Sequence, residues 1–538
     1  MPELEYDVGL LDPLSHDTRA RSLTGDAAWL AAMVDVELAL TRALIESELA
    51  PDWMSAVCDA LATGAWLDDA TVQAIAVGGR GGGNPVIPLV KRLSAAADAQ
   101  RPGASDFIHV GATSQDILDS AAMVVARTAL DEILTQLQTL AQHLSALADR
   151  HRGSAMAGRT LGQQASPTTF GFVAAGWLDA VLSVYERAVL LRADVPAQLG
   201  GAVGNLAVLT EAAGSDRRVA TVVARFSRIL GLAVPRLSWH TNRLVVAELA
   251  ALLAQITGVV GTIALDVTVL SRTEIGEVTE RLGAGQGGSS AMPHKRNPVT
   301  AVLIVSAARQ TPALVATVHS SLLAEDQRPG GAWHAEWLPL RDLERHAIAA
   351  TTAAASLAGR LDVDLERMSA NLEATDGLIY SERVTAILTE ALGKSAAFAL
   401  VEKASAESVT TRRPLRVVLS GLLATHSAHE ELRARVWAAC EPTGGSDQSA
   451  AAIDKVLERH LRVMAAPAAP AVPVAPTAAE TAPARWRSTS ASTPTATASS
   501  TSTTPPAIPR YRLPLMFPRP VSRPAPNRPA STRFEPTT

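Results

Sequence analysis

Cysteine is almost missing from this chain of 538 residues: Cys58 and Cys440 are the only two, far apart. Neither a disulfide framework nor a cysteine-built zinc site is expected, and a reducing compartment fits. Aromatic residues are also scarce, at 4%, in a sequence that is 47% hydrophobic and dominated by alanine and leucine. That balance favours helix over sheet. Charge of one sign is not in surplus either. A formal net charge of −5 gives no reason to expect nucleic acid or an anionic membrane as partner. The opening M-P-E-L-E-Y-D lacks the basic-then-apolar order of a secretory leader, so a cytoplasmic location is expected. Long apolar runs are few. Residues 249–265 come near a membrane span of roughly seventeen residues. Gln255 and two threonines interrupt this run and Glu248 and Asp266 flank it, so it reads as the centre of a helical bundle.

What the chain does have is concentrated at residues 283–298, G-A-G-Q-G-G-S-S-A-M-P-H-K-R-N-P. Gly283, Gly285, Gly287 and Gly288 make a freely rotating backbone, so the stretch reads as a mobile loop. Two hydroxyls follow, Ser289 and Ser290, then His294, Lys295 and Arg296. Asn297 and Pro298 suit a helix opening, with Asn as cap and Pro in the first helical position. A helix N-terminus beside two cations suits an anion, so a substrate bearing carboxylate or phosphate is expected.

The string G-S-S-A-M-P-H-K-R-N-P resembles the signature of the fumarase/aspartase superfamily. The resemblance implies that Ser289 is catalytic, on a loop that closes over substrate, with Lys295 and Asn297 as its companions. Other stretches agree. F-I-H-V-G-A-T-S-Q-D, residues 107–116, is similar to the first active-site segment, where the Thr-Ser pair holds a substrate carboxylate. Thr113 and Ser114 are therefore binding candidates, with His109 beside them. From the residues alone, Thr113 and Asp116 also fit a capping box opening a long helix. M-A-G-R-T-L-G-Q-Q-A-S-P-T-T-F-G, residues 156–171, is similar to the second segment, and Arg159 is a further carboxylate candidate. Many members carry a catalytic His after the Thr; here that position is Leu161. W-H-T-N-R, residues 239–243, adds His240 and Arg243, and E-D-Q-R-P-G-G-A-W-H-A-E-W, residues 325–337, adds Arg328. Trp333 and Trp337 stand where adenylosuccinate lyases tend to supply groups for a nucleotide phosphate.

The resemblance implies an all-α protein of three helical domains, with a central bundle of five long helices that forms a twenty-helix core in a homotetramer. The expected divisions are 1–108, 109–358 and 359–463, followed by a tail, 464–538, whose Pro/Ala/Ser/Thr-rich composition cannot build a core. L-L-D-P-L, residues 10–14, and G-G-N-P-V-I-P-L-V, residues 82–90, look like the 3-carboxy-cis,cis-muconate cycloisomerase branch. The implied activity closes a lactone on a small tricarboxylate, 3-carboxy-cis,cis-muconate, with no metal or cofactor. Its nucleophile is the substrate's own carboxylate, so only one carbon proton must be delivered, which suits a chain with Leu161 in place of the acid-type His. An adenylosuccinate lyase-type C–N lyase releasing fumarate is the alternative.

Overall fold

The computed structural model describes residues 9–16, 19–283, 285–425, 430–441 and 447–465. The tail expected over 464–538 lies, from residue 466 onward, outside the described residues. Five long helices form the centre: Ser114–Arg150, Phe170–Asp194, Leu244–Leu270, Val299–Ser320 and Trp337–Gly359. The fold is all-α, with strands confined to two small two-stranded sheets among the described residues.

Local chemistry explains where these helices start. Thr113, in extended conformation, and Asp116 close a full capping box, in which the Thr113 N–H donates to Asp116 Oδ2 at 2.9 Å. Thr169 caps the next long helix by accepting the Phe172 N–H. Once begun, helix 114–150 runs for 37 residues, roughly 55 Å at 1.5 Å per residue. Leu130, Ile133, Leu137, Leu140 and Leu144 form its buried seam, each with no exposed surface. The sequence spacing predicts a seam that also includes Leu134 and Leu147; Leu147 is buried, whereas Leu134 is only partly so.

Contacts at the ends give the directions. Arg243, just before helix 244–270, pairs with Asp119 at the start of helix 114–150, so these two helices run the same way. Helix 170–194 returns to that end, where Gln198 meets Ser120 and Asp116. Helix 299–320 also returns there, since Arg328 meets Thr113 and Gln115. Helix 337–359 leaves again, and its far end enters β4 (Leu361–Val363), paired antiparallel with β3 (Val278–Glu280). Three helices thus point one way and two the other.

One hydrophobic cluster unites these helices with the N-terminal ones, from Leu38 and Leu89 to Ile256 and Ile348. A second gathers Leu372, Tyr380, Val384, Leu388, Leu415 and Leu419. The helix Asp447–Ala465 packs back on the bundle, with Ile453 in the first cluster and Arg459 bound to Asp179 and Glu186. Helices 244–270 and 299–320 are both long and apolar enough to cross a membrane by length and composition. Of the most apolar window of each, 56% is buried in the first and 22% in the second. Much of helix 299–320 is therefore left open within one chain, through Val302, Ala313 and Ala316 as well as Arg309 and Gln310.

The sequence reading has no strand between the first two long helices. The structure places a hairpin there, β1 (Ala155–Thr160) with β2 (Gln163–Thr169), joined by Leu161 and Gly162. Both turn residues have positive φ, 51° and 80°, as a two-residue hairpin turn requires. Leu-Gly is a weak turn signal, which is why the hairpin is hard to read from sequence.

Glu344 lies fully buried on helix 337–359 with neither carboxylate oxygen hydrogen-bonded. Burial pushes its pKa up to about 8, although Arg341 and Arg345 pull the other way. The folded state thus holds a proton that the unfolded chain releases above its ordinary value of 4.5. The stability this proton contributes is present below pH 4.5 and is lost as pH rises towards 8. Glu344→Gln removes the dependence, so its advantage over the native chain in urea unfolding should grow by about 1.4 kcal/mol per pH unit between pH 5 and 7. A difference that stays flat with pH would refute this.

Candidate active site

The nine-residue segment Gly288–Arg296 stands out from the bundle as a loop closed at its base by two rungs. At the outer rung, the backbone N–H and side-chain amide of Asn297 both donate to the Gly287 carbonyl, at 2.8 and 3.3 Å. Gly287 has φ +68°, and a Cβ there would strike Leu282 and the Asn297 carbonyl, so glycine is required. At the inner rung, the Thr300 N–H donates to Glu280 Oε2 at 3.3 Å.

This corrects the expected helix opening. Pro298 sits at the cap position and the helix starts at Val299, while Asn297 turns away to close the loop. The anion at this helix start is Glu280, buried at the end of β3, so the helix N-terminus is already occupied within the chain. Ser289 is half-buried and its Oγ accepts the N–H groups of Ala291 and Met292, at 3.3 and 3.1 Å. Two backbone donors on one hydroxyl oxygen favour negative charge on it. His294, Lys295 and Arg296 are exposed around it.

The same end of the bundle carries the hairpin. Arg159 forks onto the buried Glu277, at 2.9 and 2.7 Å, and Asn371 adds a third bond to that carboxylate at 2.7 Å. Arg159 is therefore a structural tie and not an open carboxylate contact, a correction to the sequence reading. Leu161, at the hairpin tip, is fully exposed.

The opposite end holds the remaining candidates. Arg328 donates to Thr113 Oγ1 at 3.1 Å, Gln115 Oε1 at 3.0 Å and the Ala202 carbonyl at 3.1 Å. Thr113, Ser114 and Arg328 are all partly exposed, so two hydroxyls and a guanidinium share one open surface. Behind them lies Asp116, fully buried, which accepts the N–H groups of Gly200 and Gly201 at 2.8 Å each. His240 Nε2 donates to the same carboxylate at 2.7 Å.

Two expected substrate contacts, His240 and Arg243, are corrected here. His240 is buried on Asp116, with no surface for a ligand. Arg243 is 3% exposed and wedged between Asp119 and Glu336, with every guanidinium nitrogen engaged by them. Burial works against its charge, but the two carboxylates outweigh burial and raise its pKa. His109 donates Nδ1–H to the buried Glu37 at 2.7 Å. Trp333 and Trp337 also face inward. The Trp333 indole donates to Asp119 at 3.0 Å and packs edge-on to Trp337, so neither reports on a phosphate pocket. The buried acids Glu37, Asp119, Glu277, Glu280 and Glu336 escape sequence reading because no local pattern separates a buried acid from a surface one.

The two ends are separated by helix 244–270, roughly 40 Å long by its 27 residues. Within one chain Ser289, Lys295 and Asn297 do not reach Thr113, Ser114 and Arg328.

A protein family described as lyase matches residues 12–312. The chain belongs to this lyase family, within the fumarase/aspartase superfamily. Nitrosuccinate lyase of Streptomyces davaonensis is 46% identical over 423 residues, covering 78% of this chain and 89% of that protein. The 3-carboxy-cis,cis-muconate cycloisomerase of Bradyrhizobium diazoefficiens is 37% identical over 452 residues, covering 84% of this chain and 97% of the relative. Among solved structures, the 3-carboxy-cis,cis-muconate lactonizing enzyme of Pseudomonas putida superposes with a TM-score of 0.76 at 33% identity. That overlap spans 85% of this lyase-family chain and all of the other.

Proposed function

We propose that this lyase-family enzyme adds or removes a stable anion on a small polycarboxylate, with Ser289 handling the proton on carbon. Leu161 carries the reading. A fully exposed aliphatic tip stands where many family members have a His, and it neither gives nor takes a proton. A leaving group that departs as a weakly basic anion needs no acid. Nitrite is such a group. Loss of a proton and nitrite from nitrosuccinate leaves a butenedioate, and the 46% identity to a nitrosuccinate lyase makes this the first substrate to try.

Cycloisomerisation of 3-carboxy-cis,cis-muconate to 4-carboxymuconolactone is the second reading, favoured by the full-length overlap with a lactonizing enzyme. It has the same logic, because the attacking group is a carboxylate already ionised. Release of fumarate from adenylosuccinate would expel an amine, which asks for the acid that Leu161 does not supply.

In each case Ser289 exchanges the carbon proton, and the Ala291 and Met292 N–H groups hold its oxygen as charge develops. Lys295 stabilises the aci-carboxylate, and Asn297 sets the loop. Thr113, Ser114 and Arg328 hold the other carboxylate. These halves meet only if different copies supply them, which supports a homotetramer with shared sites. The largely uncovered helix 299–320 gives the copies a surface to join on.

The purified protein is to be incubated with nitrosuccinate, 3-carboxy-cis,cis-muconate and adenylosuccinate in turn, with nitrite, diene absorbance and fumarate followed. Nitrite release is expected. Diene loss without nitrite would move the assignment to the second reading, and fumarate from adenylosuccinate alone would overturn both. Shared sites predict that Ser289→Ala and Arg328→Ala chains, each inactive, regain activity on co-assembly. No recovery would argue that each site is built by one chain.

A further inference from the structure

Glu37 is a fully buried acid that the proposed chemistry leaves unused. It lies on helix Asp26–Glu46 with no exposed surface, among the buried Met33, Val34, Val36, Leu38 and Leu40. One of its oxygens receives His109 Nδ1–H at 2.7 Å, and the other has no partner. Leaving a carboxylate in such surroundings is costly, and a buried ion pair seldom repays that cost in stability. A second grip lies one turn away on the same helix face, where Thr41 Oγ1 donates to the Phe107 carbonyl at 3.0 Å. Both grips close on the segment that leads into Thr113. That segment is conformationally demanding: His109 has φ +60°, uncommon for a residue with a side chain, and Gly111 has φ +72° against Leu209.

We infer that Glu37 is a positioning residue for the carboxylate-binding half of the site, acting through His109 to hold residues 107–113 so that Thr113 and Ser114 face the substrate. This rests on the reading of Thr113, Ser114 and Arg328 as that half-site. Two groups face His109, Glu37 from helix 26–46 and Asp116 from helix 114–150. Burial lowers the imidazole pKa, but these carboxylates outweigh it and the net shift is upward. The grip is therefore complete below the ordinary histidine pKa and is lost as pH rises through the raised folded value.

The test uses the assembled full-length enzyme with Glu37→Ala and Glu37→Gln, the latter keeping an acceptor for His109. Amide hydrogen exchange over residues 107–114 should quicken about tenfold in Glu37→Ala, with the rest of the bundle unchanged. KM for the substrate turned over should rise about tenfold, with kcat within about threefold, as expected when binding alone is loosened. Glu37→Gln should recover both. Unchanged exchange in 107–114, quickened exchange throughout the bundle, or a fall in kcat without a change in KM would each overturn the inference. Should the native enzyme turn over none of the three substrates, the functional reading fails, and the exchange measurement still decides the positioning role.

Discussion

Replacing Ser289 with alanine should lower turnover by about 10²–10⁴-fold, the range that proton transfer by a placed side chain contributes. The helices should stay intact, because Ser289 is half-buried on a protruding loop and belongs to neither hydrophobic cluster. Its Oγ accepts two backbone N–H groups, so the substitution also removes the acceptor that folds the tip at Ala291 and Met292. Ser289→Cys separates the two effects, since a thiol keeps a proton-transferring group but accepts hydrogen bonds weakly. Turnover of Ser289→Ala within threefold of native, with unchanged circular dichroism, would remove Ser289 from the mechanism. Gly287→Ala gives a related but indirect loss, because a methyl group there collides with Leu282 and Asn297 at the outer rung.

Arg243→Ala should destabilise the fold by about 3–5 kcal/mol, the range for stripping one partner from a buried ion pair. Asp119 and Glu336 would be left facing each other with side chains at most 4% exposed. Trp333 and Gln115 donate to Asp119 but bring no positive charge. The Trp239 ring, 4.9 Å from the guanidinium, would lose its cation. Arg243→Lys should recover only part of the loss, since an ammonium cannot fork onto two carboxylates at once. Urea unfolding monitored by helicity measures all three proteins. An Arg243→Ala chain within 1 kcal/mol of native would show that water reaches the triad. The effect on catalysis should be secondary, because Arg243 offers no donor to a ligand.

Much of the fold is legible in the residues. The capping box at Thr113 and Asp116, the leucine seam of helix 114–150 and the apolar run of helix 244–270 are local patterns, and a helix forms where pattern and cap agree. The loop at 283–298 is legible as a loop from its glycines, while its chemical reading rests on the family resemblance of G-S-S-A-M-P-H-K-R-N-P. The hairpin at 155–169 is not, because its turn is Leu-Gly and its strands are short and polar.

By itself, then, the amino-acid sequence determined a helical body and singled out the groups proposed here as reactive. It also placed Leu161 where many family members have a His, on which the proposed chemistry rests. The tertiary structure alone decided which of the basic residues are free. Arg159, Arg243, His109 and His240 look like carboxylate ligands in sequence, yet each is bound to an acid of its own chain: Glu277, Asp119 with Glu336, Glu37 and Asp116. These partners lie 72 to 124 residues away, beyond the reach of any local pattern. Whether a cation serves substrate or scaffold depends on which charge the fold buries beside it, and that is settled only when distant helices pack.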